Sequence, residues 1–456
     1  MIIMKFGGTS IATPDAVERV VGIIRRFLSQ KPIVVNSAMG KTTRNLLAIA
    51  HLSEAGKTEE AKEKLKEIID YHHDLASHVL IDFKKTSVHE TLNIYFLELE
   101  KLLHGMSVLQ DLTPRSLDKF LSYGERMSTA IIAEVLNQKN IKSVLTDARS
   151  FIITNDHFGQ AKVFRDESDE RIHATLLPIV EQGAVPVVQR YIGATRNGIT
   201  TTLGFEGSDL TATLLGASLN VDEIQIWKDV PGIMTADPHL ISCTHTIRQI
   251  SFEEAGELTF FGAKVLHPSS LAPAQEKRIP VHVYNSTAPD SEGTEITHAP
   301  IFCKNLIKSI AYKQDLNLIH IQSNRSMMPY DFMKSVFDVL DRDRLTPYLS
   351  STAETQIALV IPETNLERLI DDLRPYGDVR IESNKSTVTL VGENLRQTQT
   401  FPQQVLQALG TTPVDLISFG ASAIQLTLVL DENLIKSTVK LLHDAFFETI
   451  DQQIFQ

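Results

Sequence analysis

The chain opens on an unbroken apolar run. Met1-Ile2-Ile3-Met4 has the continuous hydrophobicity of a buried strand, and Lys5 closes it. Phe6-Gly7-Gly8-Thr9-Ser10 follows, and Thr13-Pro14-Asp15 then reads as a helix start: threonine at the N-cap, proline at the first helical position, an acid in the first turn. Lys31-Pro32-Ile33-Val34-Val35 is a second apolar run, ending at Asn36-Ser37-Ala38-Met39-Gly40. Strand, helix and strand at this spacing imply parallel pairing through a right-handed crossover. Residues 44–121 carry long helical periodicity, with a charged, exposed face from Glu59 to Asp70. Residues 122–128 break that pattern and start another helix, to about Asn137. Strands are expected at 143–146, 184–188 and 224–228, with helices from about 169 to 182 and from 210 to about 219.

Residues 287–300, rich in Pro, Ser, Thr, Asp and Gly, read as a linker. Beyond them the pattern changes. Strands at 316–321, 356–361, 379–381, 386–391, 415–417 and 423–430 interleave with helices at 331–341, 365–373, 401–409 and 433–447. This is two rounds of a small β-α-β-β-α-β pattern, an α+β architecture. No G-x-G-x-x-G occurs, so no dehydrogenase is fused here.

At 456 residues and 43% hydrophobic, the chain can bury several cores. Its net charge of -12 argues against a nucleic-acid partner, because phosphate backbones demand basic faces. Cys243 and Cys303 are the only cysteines, which is no disulfide framework and suits a reducing cytoplasm. No apolar run approaches the roughly 18 residues of a membrane span, and the N-terminus has no signal-peptide pattern. His72, His73 and His78 lack a carboxylate at ligand spacing, so they are expected on a surface helix; no metal-ligating set is assigned.

The chemistry concentrates at turns that follow strands. Gly7 and Gly8 let the backbone approach a bulky anion, with Lys5 as a point charge at the mouth of the same turn. Phosphate is the natural ligand of such a turn, and a solvated lysine beside a tight βα turn is the plainer alternative. Gly40-Lys41-Thr42-Thr43 is not a P-loop, since Val35 occupies the position of the first glycine. Thr200-Thr201-Thr202, followed by Gly207-Ser208-Asp209 before a helix, is a second dense set of donors with one carboxylate.

Taken in order, five stretches resemble the aspartate kinase branch of the amino-acid kinase family: KFGGTS (5–10), SYGERMS (122–128), TTTLGFEGSD (200–209), IWKDVPGIMTADP (226–238) and FGAKVLHP (261–268). The resemblance covers residues 1 to about 298. It implies an amino-acid kinase fold, a central, mainly parallel sheet between helices, over residues 1–298. Residues 299–456 would form a regulatory pair of α+β ACT domains, the second inserted in the first. The implied reaction transfers the γ-phosphoryl group of ATP to the side-chain carboxylate of L-aspartate, giving 4-phospho-L-aspartate and ADP, the first step towards lysine, threonine and methionine. Phosphoryl transfer needs positioning and charge neutralisation more than covalent help. By resemblance, Lys5 and Asp209 are the catalytic pair. Phe6, Gly7, Gly8, Ser10, Ser208, Lys228, Asp229 and Lys264 join Lys5 in binding ATP. Ser37, Thr43, Glu125 and Thr202 bind the substrate, with Glu125 on its ammonium. Mg²⁺ is expected to bridge the phosphates.

The departures from the family pattern are specific. Family members commonly carry arginine where this chain has Phe205, and Glu206 follows it. That arginine anchors the α-carboxylate of aspartate, so Arg126, Arg190 and Arg196 become candidates to replace it. Met234 and His239 stand where tyrosine and arginine are common on the adenine side. The ACT pair implies a homodimer or larger assembly and amino-acid feedback, with lysine or threonine as effector. The loop Ser326–Asp331 lacks the glycine of lysine-sensing members, Tyr348 replaces an aspartate, and Glu354 is retained. A kinase for another carboxylate and a catalytically inactive amino-acid sensor are the alternatives.

Overall fold

The computed structural model describes residues 1–204, 209–263, 266–298, 302–324, 328–362 and 366–456. Phe205, Glu206, Ser208, Lys264 and the effector-loop residues Ser326 and Met327 therefore lie outside the described residues. The chain forms two compact units, Met1–Ile233 with Leu266–Pro300, and Met234–Val265 with Ile301–Gln456.

In the first unit the strands are β1 (Ile2–Phe6), β2 (Pro32–Asn36), β3 (Ser143–Thr146), β4 (Ile153–Thr154), β5 (Val185–Gln189), β6 (Ile192–Thr195), β7 (Thr200–Thr202) and β8 (Glu223–Lys228). The second unit contributes β9 (Gln249–Ser251), and the first resumes with β10 (Val281–Asn285) and β11 (Thr294–Thr297). The main sheet runs β3-β5-β2-β1-β8-β10-β11, parallel except for the last pair. The small strands β4, β6 and β7 form a separate sheet. Every residue of β1, β2 and β5 is buried, as expected of parallel strands covered on both faces. Register fixes the site: Phe6 lies level with Asn36 on one side and Trp227 on the other, and Asn36 with Gln189. The carboxyl ends of β1, β2, β5 and β8 therefore meet at one edge.

Helices α1 (Pro14–Arg26), α2 (Thr42–Glu54), α3 (Thr58–Val79), α4 (Ser87–Leu109), α5 (Pro114–Gln138), α6 (Arg165–Glu181) and α7 (Leu210–Leu219) belong to this unit. Thr13 caps α1 as its sequence requires, its side chain accepting from Ala16 N at 3.2 Å, a contact worth about 1 kcal/mol. Three expectations are corrected. Residues 122–128 do not start a helix; they are the middle of α5, where Glu125 is a fully buried side chain. A Cβ on Gly124 would lie 3.0 Å from the Ala38 methyl, so the glycine lets α5 press against the loop after β2 rather than interrupting the helix. His72 is not on a surface: it is fully buried in α3, Nδ1 lies 2.7 Å from the Ile68 carbonyl, and burial pushes its pKa down to about 4. Finally, the 287–300 stretch is not only a linker, because it contains β11, antiparallel to β10.

The second unit opens with β9 and α8 (Phe252–Phe260); α9 (Pro268–Lys277) returns to the first. Its six-stranded sheet is antiparallel throughout, in the order β13 (Leu349–Thr352), β14 (Gln356–Pro362), β12 (Ser309–Ser323), β15 (Gly377–Val391), β17 (Gln425–Asp431), β16 (Leu416–Phe419). Helices α10 (Pro329–Arg342), α11 (Leu366–Leu373), α12 (Phe401–Leu409) and α13 (Ile435–Phe446) interleave with these strands along the chain. The stretches 379–381 and 386–391, expected as separate strands, are one continuous β15. The left-handed Asn384 (φ 58°), and Asp315 (φ 57°) on β12, mark where the long strands lose regular register. Residues 234–265 pack here through a buried ion pair, Lys308 Nζ to Glu254 Oε2 at 2.7 Å, and the bond from Ser309 Oγ to the Met234 carbonyl. The contact division thus differs from a single cut at residue 298.

Candidate active site

β1 delivers Lys5 to the sheet edge, and its ammonium lies 2.5 Å from Asp209 Oδ1. Both side chains are almost wholly buried. Asp209 precedes α7 without capping it, because its carboxylate faces the lysines instead. Lys228, the last residue of β8, brings a second ammonium to 3.4 Å from Asp209 Oδ2. Burial drives Lys5 down to about 8, against the pull of Asp209, and Lys228 and Arg190 add repulsion. Burial alone would raise the Asp209 pKa; Lys228, Lys5 and Arg190 together hold it well below the usual carboxylate range. Such a strongly perturbed pair at the ends of parallel strands is where α/β folds place chemistry.

The glycine turn sits directly on this pair. Gly7 N–H donates to the Trp227 carbonyl at 3.0 Å, so that donor is used in joining β1 to β8. Among the described residues the N–H groups of Gly8 and Thr9, at the start of a single 3₁₀ turn, have no acceptor. A Cβ on Gly8 would come within 2.6 Å of the Ala38 carbonyl and 2.8 Å of the Gly40 carbonyl, which only glycine permits. Ser10 does not face outward: its hydroxyl accepts from Ser286 Oγ at 2.8 Å. Phe6 is a core side chain stacked on Trp227, so only its backbone is near the turn. Asp229 is exposed beside Lys228.

A cavity of about 390 Å³ opens beside the turn, lined in part by Gly8, Ser37, Ala38, Thr43 and Arg190. Glu125 does not line it but is buried against two lining residues, Thr43 and Arg190. Its Oε1 is 3.5 Å from Thr43 Oγ1 and 3.6 Å from Arg190 Nε, while Oε2 has no hydrogen-bond partner among the described residues. Burial raises the Glu125 pKa, and Arg190 opposes that shift. The Thr202 hydroxyl and N–H both donate to Asp118, at 2.6 and 2.8 Å. Asp118 was not expected from sequence. It is buried in α5 and also accepts from Gly159 N at 3.0 Å, so it ties β7 to the loop before α6. Of the sequence-selected residues, the structure gathers Lys5, Gly8, Ser37, Thr43, Glu125, Lys228 and Asp209 at one sheet edge.

A buried lysine–carboxylate pair under a glycine turn, beside a cavity lined by a guanidinium that has a buried carboxylate against it, suits a phosphotransferase acting on a small zwitterion. The comparisons agree. A family model described as "Amino acid kinase family" matches residues 1–285, and one described as "ACT domain" matches residues 388–446. Over 98% of its length the chain is 34% identical to "Aspartokinase 3, chloroplastic" of Arabidopsis thaliana, spanning 82% of that protein. It is 30% identical to "Lysine-sensitive aspartokinase 3" of Escherichia coli (strain K12), spanning 99% of it. Among solved structures, E. coli aspartokinase III in complex with aspartate and ADP (R-state) matches with a TM-score of 0.88 at 31% identity, over 98% of this chain and 100% of that one. The chain belongs to the amino acid kinase family, in its aspartokinase branch.

Proposed function

We propose that this chain phosphorylates the side-chain carboxylate of L-aspartate with ATP. A side-chain carboxylate oxygen attacks the γ-phosphorus, the bond from that phosphorus to the β,γ-bridging oxygen breaks, and ADP leaves with the electron pair. The observation that carries the reading is the buried Lys5–Asp209 pair, 2.5 Å apart, flanked by Lys228 at the glycine turn. Lys5 and Lys228 would neutralise charge on the transferring group, Asp209 would hold both ammoniums in place, and the free N–H groups of Gly8 and Thr9 would meet phosphate oxygens. Glu125, with one oxygen unpartnered, fits the substrate ammonium. The crystal of the E. coli relative with aspartate and ADP supports both ligands.

Mg²⁺ belongs to the same reading. Among the described residues of the first unit no three His, Cys, Asp or Glu ligand atoms converge. That fits an ion carried mainly by nucleotide phosphates and water, with exposed Asp229 next in sequence to Lys228. Bound Mg²⁺ would supply charge neutralisation on the phosphates. Feedback by an amino acid at the second unit is also part of it, since another E. coli aspartokinase III structure is a complex with lysine and aspartate. No helix among the described residues is long and apolar enough to cross a membrane.

The test is ADP release from MgATP with L-aspartate, L-glutamate or no acceptor, with hydroxylamine present to trap an acyl phosphate as its hydroxamate. Aspartate-dependent ADP and hydroxamate are expected. No acceptor-dependent turnover refutes the kinase reading in favour of a sensor. Lysine and threonine added to the same assay identify the effector, and an unchanged rate with both removes both.

A further inference from the structure

A free amino acid carries an ammonium and a carboxylate on one carbon. A protein site that recognises it needs the complementary pair, an anion and a cation side by side, both shielded from water. Such a pair stands at the cavity, where Arg190 is part of the lining and Glu125 is buried against it. Glu125 and Arg190 approach to 3.6 Å, with Glu125 fully buried and the Arg190 side chain only 17% exposed. Arg190 follows β5 directly, and its N–H donates to the Asn36 carbonyl at 3.1 Å, which fixes its backbone at the shared end of β5 and β2. Its side chain lines the cavity together with Ser37, Ala38 and Thr43. The guanidinium fork matches a carboxylate with two parallel hydrogen bonds, which an ammonium cannot do.

The other arginines considered from sequence, Arg126 and Arg196, do not line this cavity. The Arg126 guanidinium lies between the rings of Tyr95 and Tyr123, at 4.3 and 4.5 Å. Arg196 bonds Glu167 at 2.8 Å and covers the Phe164 ring. Lys41 and Arg44 also line the cavity but are exposed, where water weakens their charge.

We infer that Arg190 is the specificity residue that binds the α-carboxylate of the acceptor, forming with Glu125 a zwitterion clamp at the end of β5. The inference rests on the amino-acid acceptor proposed above. One competing role has a physical basis: Arg190 carries charge toward Lys5 and Asp209, and could act on the transferring phosphoryl group instead.

Acceptor chemistry separates the two. L-Aspartate and its α-amide share a length and a reactive side-chain carboxylate; only the α-carboxylate charge differs. The kcat/KM values of both acceptors are measured by ADP release for the wild type, Arg190→Met and Arg190→Lys, with KM for ATP alongside. The wild type is expected to prefer L-aspartate by about 10²–10³-fold, the range for a shielded charge pair. Arg190→Met loses most of that factor on L-aspartate and little on the α-amide, so the preference collapses. Arg190→Lys, which keeps the charge without the fork, gives an intermediate preference. An equal loss on both acceptors, with the preference intact, overturns the inference and assigns Arg190 to the phosphoryl group. If Arg190→Met has no cooperative melt, Arg190→Lys decides: a reduced preference supports the clamp, and a wild-type preference overturns it. A wild type inert towards L-aspartate refutes the acceptor reading itself, and the clamp with it.

Discussion

Asp209→Asn isolates what the buried carboxylate does for Lys5. Asparagine keeps the shape and can still accept a hydrogen bond, but it removes the counter-charge that lies 2.5 Å from the ammonium. Burial and the repulsion of Lys228 and Arg190 remain, and these are the forces that already bring Lys5 down to about 8. Losing an opposite charge at this range lowers a lysine pKa by roughly 1–3 units, to roughly 5–7. At a pH of about 7.5 the charged fraction of Lys5 then falls from about three-quarters to between about a quarter and a few tenths of a percent. If the charged ammonium is the active form, the variant loses about 3-fold to a few hundred-fold in kcat/KM for ATP from ionisation alone. The diagnostic is the shape of the pH profile, because kcat/KM reports the free enzyme. The wild type should be flat below about pH 8 and fall as pH rises through it. The variant should climb about tenfold per unit as pH is lowered towards its new pKa. A variant with reduced activity and an unshifted profile would show that Asp209 orients the site without setting the charge of Lys5.

Two further predictions follow from packing. Gly8→Ala drives a Cβ into the carbonyls of Ala38 and Gly40, so it should lose about 1–3 kcal/mol in denaturant unfolding and raise KM for ATP; unchanged values of both refute the close-approach argument. His72 is neutral in the folded chain, with its pKa near 4, and ordinary in the unfolded chain, so the unfolded state takes up the proton between those values. Stability from this residue is whole above about pH 6.5 and is lost as pH falls, by up to roughly 3 kcal/mol near pH 4. His72→Gln should flatten that part of the stability–pH curve, and parallel curves for the two proteins would rule the histidine out.

What the chain reveals before folding depends on whether burial is apolar. β1, β2 and β5 are built on short apolar runs, and α12 begins and ends where its periodicity does, at Phe401 and Leu409. The turn between β1 and α1 was legible for another reason: Thr13-Pro14-Asp15 is a local capping signal that needs no tertiary context. The stretch 122–128 failed because it buries Ser122, Glu125 and Ser128 alongside Tyr123 and Met127. Polar groups buried among apolar ones blur the hydrophobic stripe, and Gly124 then looks like a breaker when it is a contact. Asp118 escaped for a similar reason. A lone carboxylate in a helical pattern reads as surface, and only the fold brings Thr202 and Gly159 to it. Motif order, not periodicity, located Lys5, Glu125 and Asp209. Of the three arginines that sequence could not separate, Arg190 is the one that lines the cavity.

The charges gathered here explain why a protein of net charge -12 keeps a cationic centre. Among the described residues Lys5, Lys228 and Arg190 face Asp209 and Glu125, so the centre carries one more cation than anion when all are ionised. Burial is the main force that brings the Lys5 pKa down to about 8, and without an incoming anion the repulsion of Lys228 and Arg190 adds to it. A bound polyphosphate reverses the sign of the local field and favours the charged ammonium. Nucleotide binding and Lys5 protonation are therefore linked: each promotes the other by the same free energy. The pKa seen in kcat, which belongs to the occupied enzyme, should then lie above the one seen in kcat/KM. Coincident values would mean that the phosphates do not sit against Lys5.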